Sequence, residues 1–199
     1  FRLALFEDDP TAQRPVLAMN VIVGQAHGRH HTPVFTNVMR EVVFRPYWDV
    51  PLNIARKELV PIIRRNPDYL AHEALEIVRG GDDGATVYPA TSTNLDLVAA
   101  GTLRLRQRPG TASALGLVKF VFPNRYNVYL HGTPAQELFA RSRRDFSHGC
   151  IRVEDPTALA EAVFRGEAEW DRGAIERAMA GTRTRRIPLA RPVAVYVLY

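Results

Sequence analysis

Apolar residues in the first fifty positions come in short runs, not in helical stripes. Residues 15–24, PVLAMNVIVG, read as a buried strand that Gly24 stops. Residues 25–33 are polar and loop-like, and residues 35–48, FTNVMREVVFRPYW, return to a strand-rich pattern before Pro46 and Pro51 break the chain. From Asn53 to Pro109 the character changes. Residues 53–65 and 67–81 read as helices, the second opening at Pro67-Asp68 and closing at Gly80-Gly81. A less regular stretch, 82–110, follows. Strand patterns resume over 114–123, ALGLVKFVFP, and 126–134, YNVYLHGTP. The spacing then predicts a helix over 134–144, with Thr133 as N-cap, Pro134 in the first helical position and Gln136 completing a capping box. Asp155-Pro156 opens another helix by the same logic, residues 171–181 read as a third, and RPVAVYVLY ends the chain as a strand. The pattern is mixed α/β and mainly β. The helix-and-loop segment 53–110 reads as an insertion with its own small packing unit.

Composition sets outer limits. A chain of 199 residues suits one substantial domain, or one domain carrying a large insertion. With 46% hydrophobic and 24% charged residues it is globular rather than disordered. No stretch reaches the roughly 20 apolar residues of a membrane-spanning helix. The chain opens on Phe1 rather than Met. That reads as the interior of a longer protein, so a missing leader says nothing about location. The net charge is +5, and among the 26 Lys and Arg residues only Lys57 and Lys119 are lysine. Such a surplus suits nucleic acid, an anionic membrane or an acidic polymer. However, the arginines are scattered and no zinc-finger, RRM or helix-turn-helix pattern is present, so nucleic acid is not the expected partner.

The chain has one cysteine, Cys150, in FSHGCIRV (146–153). A lone cysteine can be a small buried hydrophobe or a nucleophile, and the second needs a base or a cationic setting to form thiolate. Two histidines can supply one: His148, two residues before Cys150, and His131, at the end of a predicted strand. Gly149 permits a tight turn, and the amides around Gly149 and Cys150 can bind an oxyanion. His27, His30 and His31 sit in the polar loop and read as solvent-exposed. A zinc site on His131, His148 and Cys150 would have only three ligands without metal-type spacing.

YLHGTP (129–134) followed by SHGCIRV (147–153) resembles the signature of L,D-transpeptidases of the YkuD family. ALGLVKFVFPN (114–124), LFARSRRDFSHGCIRVEDP (138–156) and VFRPYWDVP (43–51) look like the longer, YcbB-like branch, which carries a capping insertion where 53–110 lies here. The resemblance implies a YkuD-type β-sandwich-like core with a few helices, spanning 1–199, and an inserted helical capping subdomain. It implies Cys150 as nucleophile, His131 as general base rather than His148, and the Gly132 carbonyl as the group orienting the imidazole. Ser147, His148 and Gly149 would shape the oxyanion site, and Arg152, Tyr129 and Trp48 match positions that can meet substrate.

The implied chemistry is cysteine acyl transfer. A thioester forms from a peptidoglycan tetrapeptide stem with release of D-alanine, and a side-chain amine of a neighbouring stem resolves it as a 3→3 cross-link. Neither metal nor organic cofactor is required, and the location implied is the bacterial periplasm or envelope. Three alternatives stay open: attachment of an outer-membrane protein to the wall, L,D-carboxypeptidase action with water as acceptor, and a catalytically silent wall-binding module. A papain-type peptidase is excluded by order, since no histidine follows His148.

Overall fold

The computed structural model describes residues 1–7, 14–25, 30–81 and 84–198; His27 lies outside them. The fold is mixed α/β and mainly β, and it divides into two compact units, Phe1–Pro46 with Leu115–Tyr199, and Tyr47–Ala114.

The first unit is built on a seven-stranded sheet. Its strands are β1 (Arg2–Leu5), β2 (Leu17–Ile22), β3 (Phe35–Phe44), β8 (Val118–Val121), β9 (Leu130–His131), β10 (Ile151–Val153) and β11 (Arg185–Val197). Their order across the sheet is β1-β2-β10-β9-β8-β3-β11. Only the β9–β10 pair is parallel, with Ile151 opposite Leu130 and Arg152 opposite His131. A parallel pair needs a crossover between its strands, and residues 132–150 provide it. β11 is an edge strand whose register with β3 shifts between Pro188 and Val193. Pro188 and Pro192 have no N–H to give to the ladder, so the irregularity falls where the sequence cannot pair.

Alternation sorts the two faces of this sheet. Met19, Val21, Val42, Phe44, Val118, Phe120, Leu130, Ile151 and Val153 belong to one buried apolar cluster, which also takes in Leu159, Val163, Phe164, Trp170 and Ile175. The last five come from the helical segment after β10, which contains α4 (Pro156–Val163) and α5 (Arg172–Ala180). Phe44, Phe164 and Trp170 stack with ring centroids 4.9–6.3 Å apart. Both helices start as the sequence expects: Asp155 accepts from the Ala158 N–H at 2.8 Å and Asp171 from the Ala174 N–H at 2.7 Å. The other face of the sheet therefore carries the opposite parity. Across four strands it runs Lys119, His131, Arg152 and Ile22 in one row.

The second unit has a four-stranded sheet, β4 (Trp48–Asp49), β5 (Leu75–Arg79), β6 (Thr86–Tyr88) and β7 (Arg104–Gln107), in the order β4-β7-β5-β6. Helices α1 (residues 52–65), α2 (Tyr69–His72) and α3 (Ser92–Ala100) complete it. In α1 the residues Ala55–Leu59 are π-helical just ahead of Pro61, whose missing N–H interrupts the α-helical ladder. Ile54, Ile63, Ile77, Leu95, Val98 and Leu105 form the core of this unit.

Three elements differ from the sequence reading. The helix expected over 67–81 is α2 followed by β5. Ala74 turns with φ +51, after which Leu75 and Ile77 alternate inward against β7. The stretch read as irregular, 82–110, holds β6, α3 and β7, because RLRQ can pair with LEIVR only once the chain has folded back. The helix expected over 134–144 is a 3₁₀ turn, Gln136–Ala140. Thr133 Oγ1 accepts from the Ala135 N–H, not from the N–H of Gln136, and the Gln136 side chain donates to the Thr133 carbonyl. No capping box forms, and the arginine-rich end lacks an apolar face to hold a longer helix.

Candidate active site

The face of the first sheet turned away from the aromatic cluster carries the candidate residues. His131 ends β9 and is 4% exposed, and its Nδ1 lies 2.5 Å from the Gly132 carbonyl oxygen. A carbonyl only accepts, so Nδ1 carries the proton and Nε2 keeps a lone pair. Burial drives the imidazole pKa down to about 3, with Arg152 and Lys119 adding to the effect, while the carbonyls of Gly132 and Leu115 oppose it. His131 is thus a neutral imidazole with a fixed tautomer throughout the physiological range.

Cys150 immediately precedes β10. The Ile151 N–H donates to the Tyr129 carbonyl at 3.0 Å, so Cys150 stands one residue before the Ile151–Leu130 pair and on the His131 face. Its Sγ lies 3.6 Å from the Asn127 carbonyl oxygen. Burial raises the thiol pKa, against the lowering effect of contacts with Tyr129 and the charges of Lys119 and Arg152. Cys150 is therefore a neutral thiol at rest, on the sheet face that also carries the neutral His131 imidazole. Asn127 has φ +54 and is presented by a turn that the Asn124 side chain organises. Asn124 donates to the carbonyls of Phe122 and Val128 and accepts from the N–H groups of Tyr126 and Val128.

The turn before the cysteine is closed by Ser147, which is 3% exposed. Its Oγ accepts from the Gly149 N–H at 3.0 Å and donates to the Cys150 carbonyl. Gly149 has φ +118, a backbone state that a side chain would strain. A second clamp comes from a distant loop: Thr32 Oγ1 accepts from the Gly24 N–H and donates to the Gly149 carbonyl, each at 2.8 Å. The 30–32 backbone passes so close to Gly24 that a Cβ there would meet the His30 carbonyl at 2.0 Å.

A model of the YkuD family, the L,D-transpeptidase catalytic domain, matches residues 2–170. The chain belongs to that family. It is also 32% identical over 184 residues to a protein of Haemophilus influenzae described as "Putative L,D-transpeptidase"; the match covers 92% of this chain and 36% of the relative. The chain thus spans about a third of that protein's length.

Within this YkuD domain, His131, Gly132, Cys150, Ser147, Gly149 and Arg152 lie on β9, β10 and the crossover between them, and Tyr129 immediately precedes β9. Arg152 sits beside His131 on the next strand, its pKa lowered by burial, and its Nε is buried without a hydrogen-bond partner among the described residues. The Tyr129 ring tilts against His131 at 5.6 Å and lies under Lys119 Nζ at 3.8 Å. His148 meets the ring of His30 edge-on at 4.7 Å. Trp48 belongs to the second unit, where it pairs with Gln107 and packs on that unit's core.

The loop histidines differ from expectation: His31 is exposed, but His30 is half-buried against His148. Sequence reasoning missed Thr32, Gly24, Lys119 and Asn124. Asn124 has a local signal, an asparagine in a turn between two strands. Thr32 has none, because the carbonyl it bonds is 117 residues away. Among the described residues no group of three or more His, Cys, Asp and Glu side chains is placed to hold a metal ion.

Proposed function

We propose that this domain is a peptidoglycan L,D-transpeptidase of the YcbB-like branch that works through a thioester on Cys150. The observation that carries the reading is the His131 imidazole, its tautomer fixed by Gly132, on the same sheet face as the only cysteine and on the strand paired with it. In the first step His131 Nε2 takes the thiol proton as sulfur bonds to the carbonyl carbon of the third stem residue. The amide C–N bond then breaks, and the proton passes to the departing D-alanine amine. In the second step a side-chain amine of a neighbouring stem attacks the thioester, loses a proton to His131 and releases the sulfur, which is reprotonated. The product is a 3→3 cross-link.

Lys119 and Arg152 lower the energy of the negative charge that develops on sulfur and on the carbonyl oxygen. Arg152 also suits a carboxylate of the donor stem, because its buried Nε has no competing partner among the described residues. A capping role for the Tyr47–Ala114 unit, with Trp48 meeting substrate, and residence in the periplasm or envelope belong to the same proposal. No helix of the described residues is long and apolar enough to cross a membrane.

Incubation with a disaccharide-tetrapeptide tests the reading. The wild-type domain releases D-alanine and yields a 3→3 dimer, and Cys150→Ala and His131→Ala do neither. Tripeptide without dimer would make water the acceptor. No alanine release from a folded wild-type protein contradicts the proposal.

A further inference from the structure

We infer that Thr32 is a positioning residue that aims the backbone N–H of Cys150 at the oxyanion. The inference rests on the reading of Cys150 as the nucleophile. Thr32 is 1% exposed, and its hydroxyl both accepts from the Gly24 N–H and donates to the Gly149 carbonyl, at 2.8 Å each. The Gly149–Cys150 peptide is trans, so its C=O and N–H point in opposite directions. A carbonyl held toward Thr32 therefore turns the Cys150 N–H the other way. That N–H makes no hydrogen bond among the described residues, although the neighbouring groups are all engaged: the Gly149 N–H and the Cys150 carbonyl by Ser147, the Ile151 N–H by Tyr129. An unpaired donor on the nucleophile's own residue is placed for the charge that forms when sulfur attacks a carbonyl.

Gly24 is part of the same device. The bond from its N–H fixes the direction of the Thr32 hydroxyl, and the parallel bridge between Gly24 and Ser147 ties this end of β2 to the turn. Positive φ at Gly149 alone leaves the following peptide plane free to rotate, and Thr32 removes that freedom.

Two reactions of Cys150 separate oxyanion alignment from thiol reactivity. With p-nitrophenyl acetate a C–S bond forms, the C–O bond breaks, p-nitrophenolate leaves and the thiol proton goes to His131; an oxyanion intervenes. Alkylation by iodoacetamide expels iodide from carbon and has no oxyanion. In Thr32→Val we expect the acetylation rate to fall about tenfold or more, set against the 100-fold or larger losses on deleting an oxyanion donor outright. Iodoacetamide alkylation stays within about twofold of wild type, and Thr32→Ser restores acetylation. Thr32→Ala, which leaves room for a water between Gly24 and Gly149, serves as a second variant with the same direction of effect. Unchanged acetylation in both variants, a parallel loss of both reactions, or a serine variant that fails to restore the rate would overturn the inference. A wild-type protein that is alkylated at Cys150 but acetylated no faster than Cys150→Ala overturns the nucleophile reading itself, and Thr32's role with it.

Discussion

At the residue scale, the decisive feature is that the proposed nucleophile and its proposed base both rest uncharged. Burial lowers the His131 pKa to about 3 and raises that of Cys150, so neither a thiolate nor an imidazolium stands ready before substrate binds. In the proposed mechanism proton transfer therefore accompanies attack. The thiol of the free protein should accordingly react slowly with iodoacetamide at pH 7, at a rate that climbs with pH and is still climbing past the ordinary thiol value of 9.0. A fast, pH-independent alkylation near neutrality would point to a preformed ion pair. The same burial has a stability consequence. The unfolded chain protonates His131 near 6.5 and the folded one near 3, so between these values the unfolded state binds the extra proton. Stability contributed by neutral His131 is complete above about pH 6.5 and is lost as pH falls toward 3. Thermal unfolding of wild type and His131→Gln across that range should show a shallower slope in the variant.

At the scale of elements, the helices flanking the site were legible because their signals are local. Asp155-Pro156 and Asp171 cap α4 and α5 as read, and Asp155→Ala should cost about 1 kcal/mol in denaturant unfolding. β2, β3, β8 and β9 were legible from short apolar runs, whereas β10, three residues long, and its parallel pairing with β9 were not. The crossover was misread as a helix because Thr133, Pro134 and Gln136 satisfy a helix start that the arginines beyond them cannot extend. β5 was misread because LEIV fits either period until its partner, β7, is known. The turn at Ser147–Cys150 depends on partners far away in sequence, and of these the motif displays only its own residues. Gly149→Ala adds a side chain at φ +118 and should abolish D-alanine release while leaving the sheet folded, as circular dichroism and an activity assay together would reveal.

At the scale of the molecule, each unit has its own buried cluster, and the site residues of the first lie on a sheet whose opposite face is the larger of the two cores. The stack of Phe44, Phe164 and Trp170 backs that sheet. Phe164→Ala should cost about 3–5 kcal/mol and lower the urea midpoint, whereas Tyr126→Ala, at 40% exposure, should cost far less. The arginine surplus is partly spent within the chain, in exposed ion pairs such as Arg104–Asp49, Arg172–Glu161 and Arg186–Glu41, each of small value. Lys119 and Arg152 are different, since they share the row of the sheet that holds His131.

The proposed mechanism requires Cys150 to form a thioester, and intact-protein mass spectrometry after incubation with a disaccharide-tetrapeptide tests that directly. The predicted spectrum shows wild-type protein carrying the donor minus its terminal alanine, an adduct sensitive to hydroxylamine and absent from Cys150→Ala. An unmodified wild-type mass while D-alanine is released, or an adduct that persists in Cys150→Ala, would contradict it.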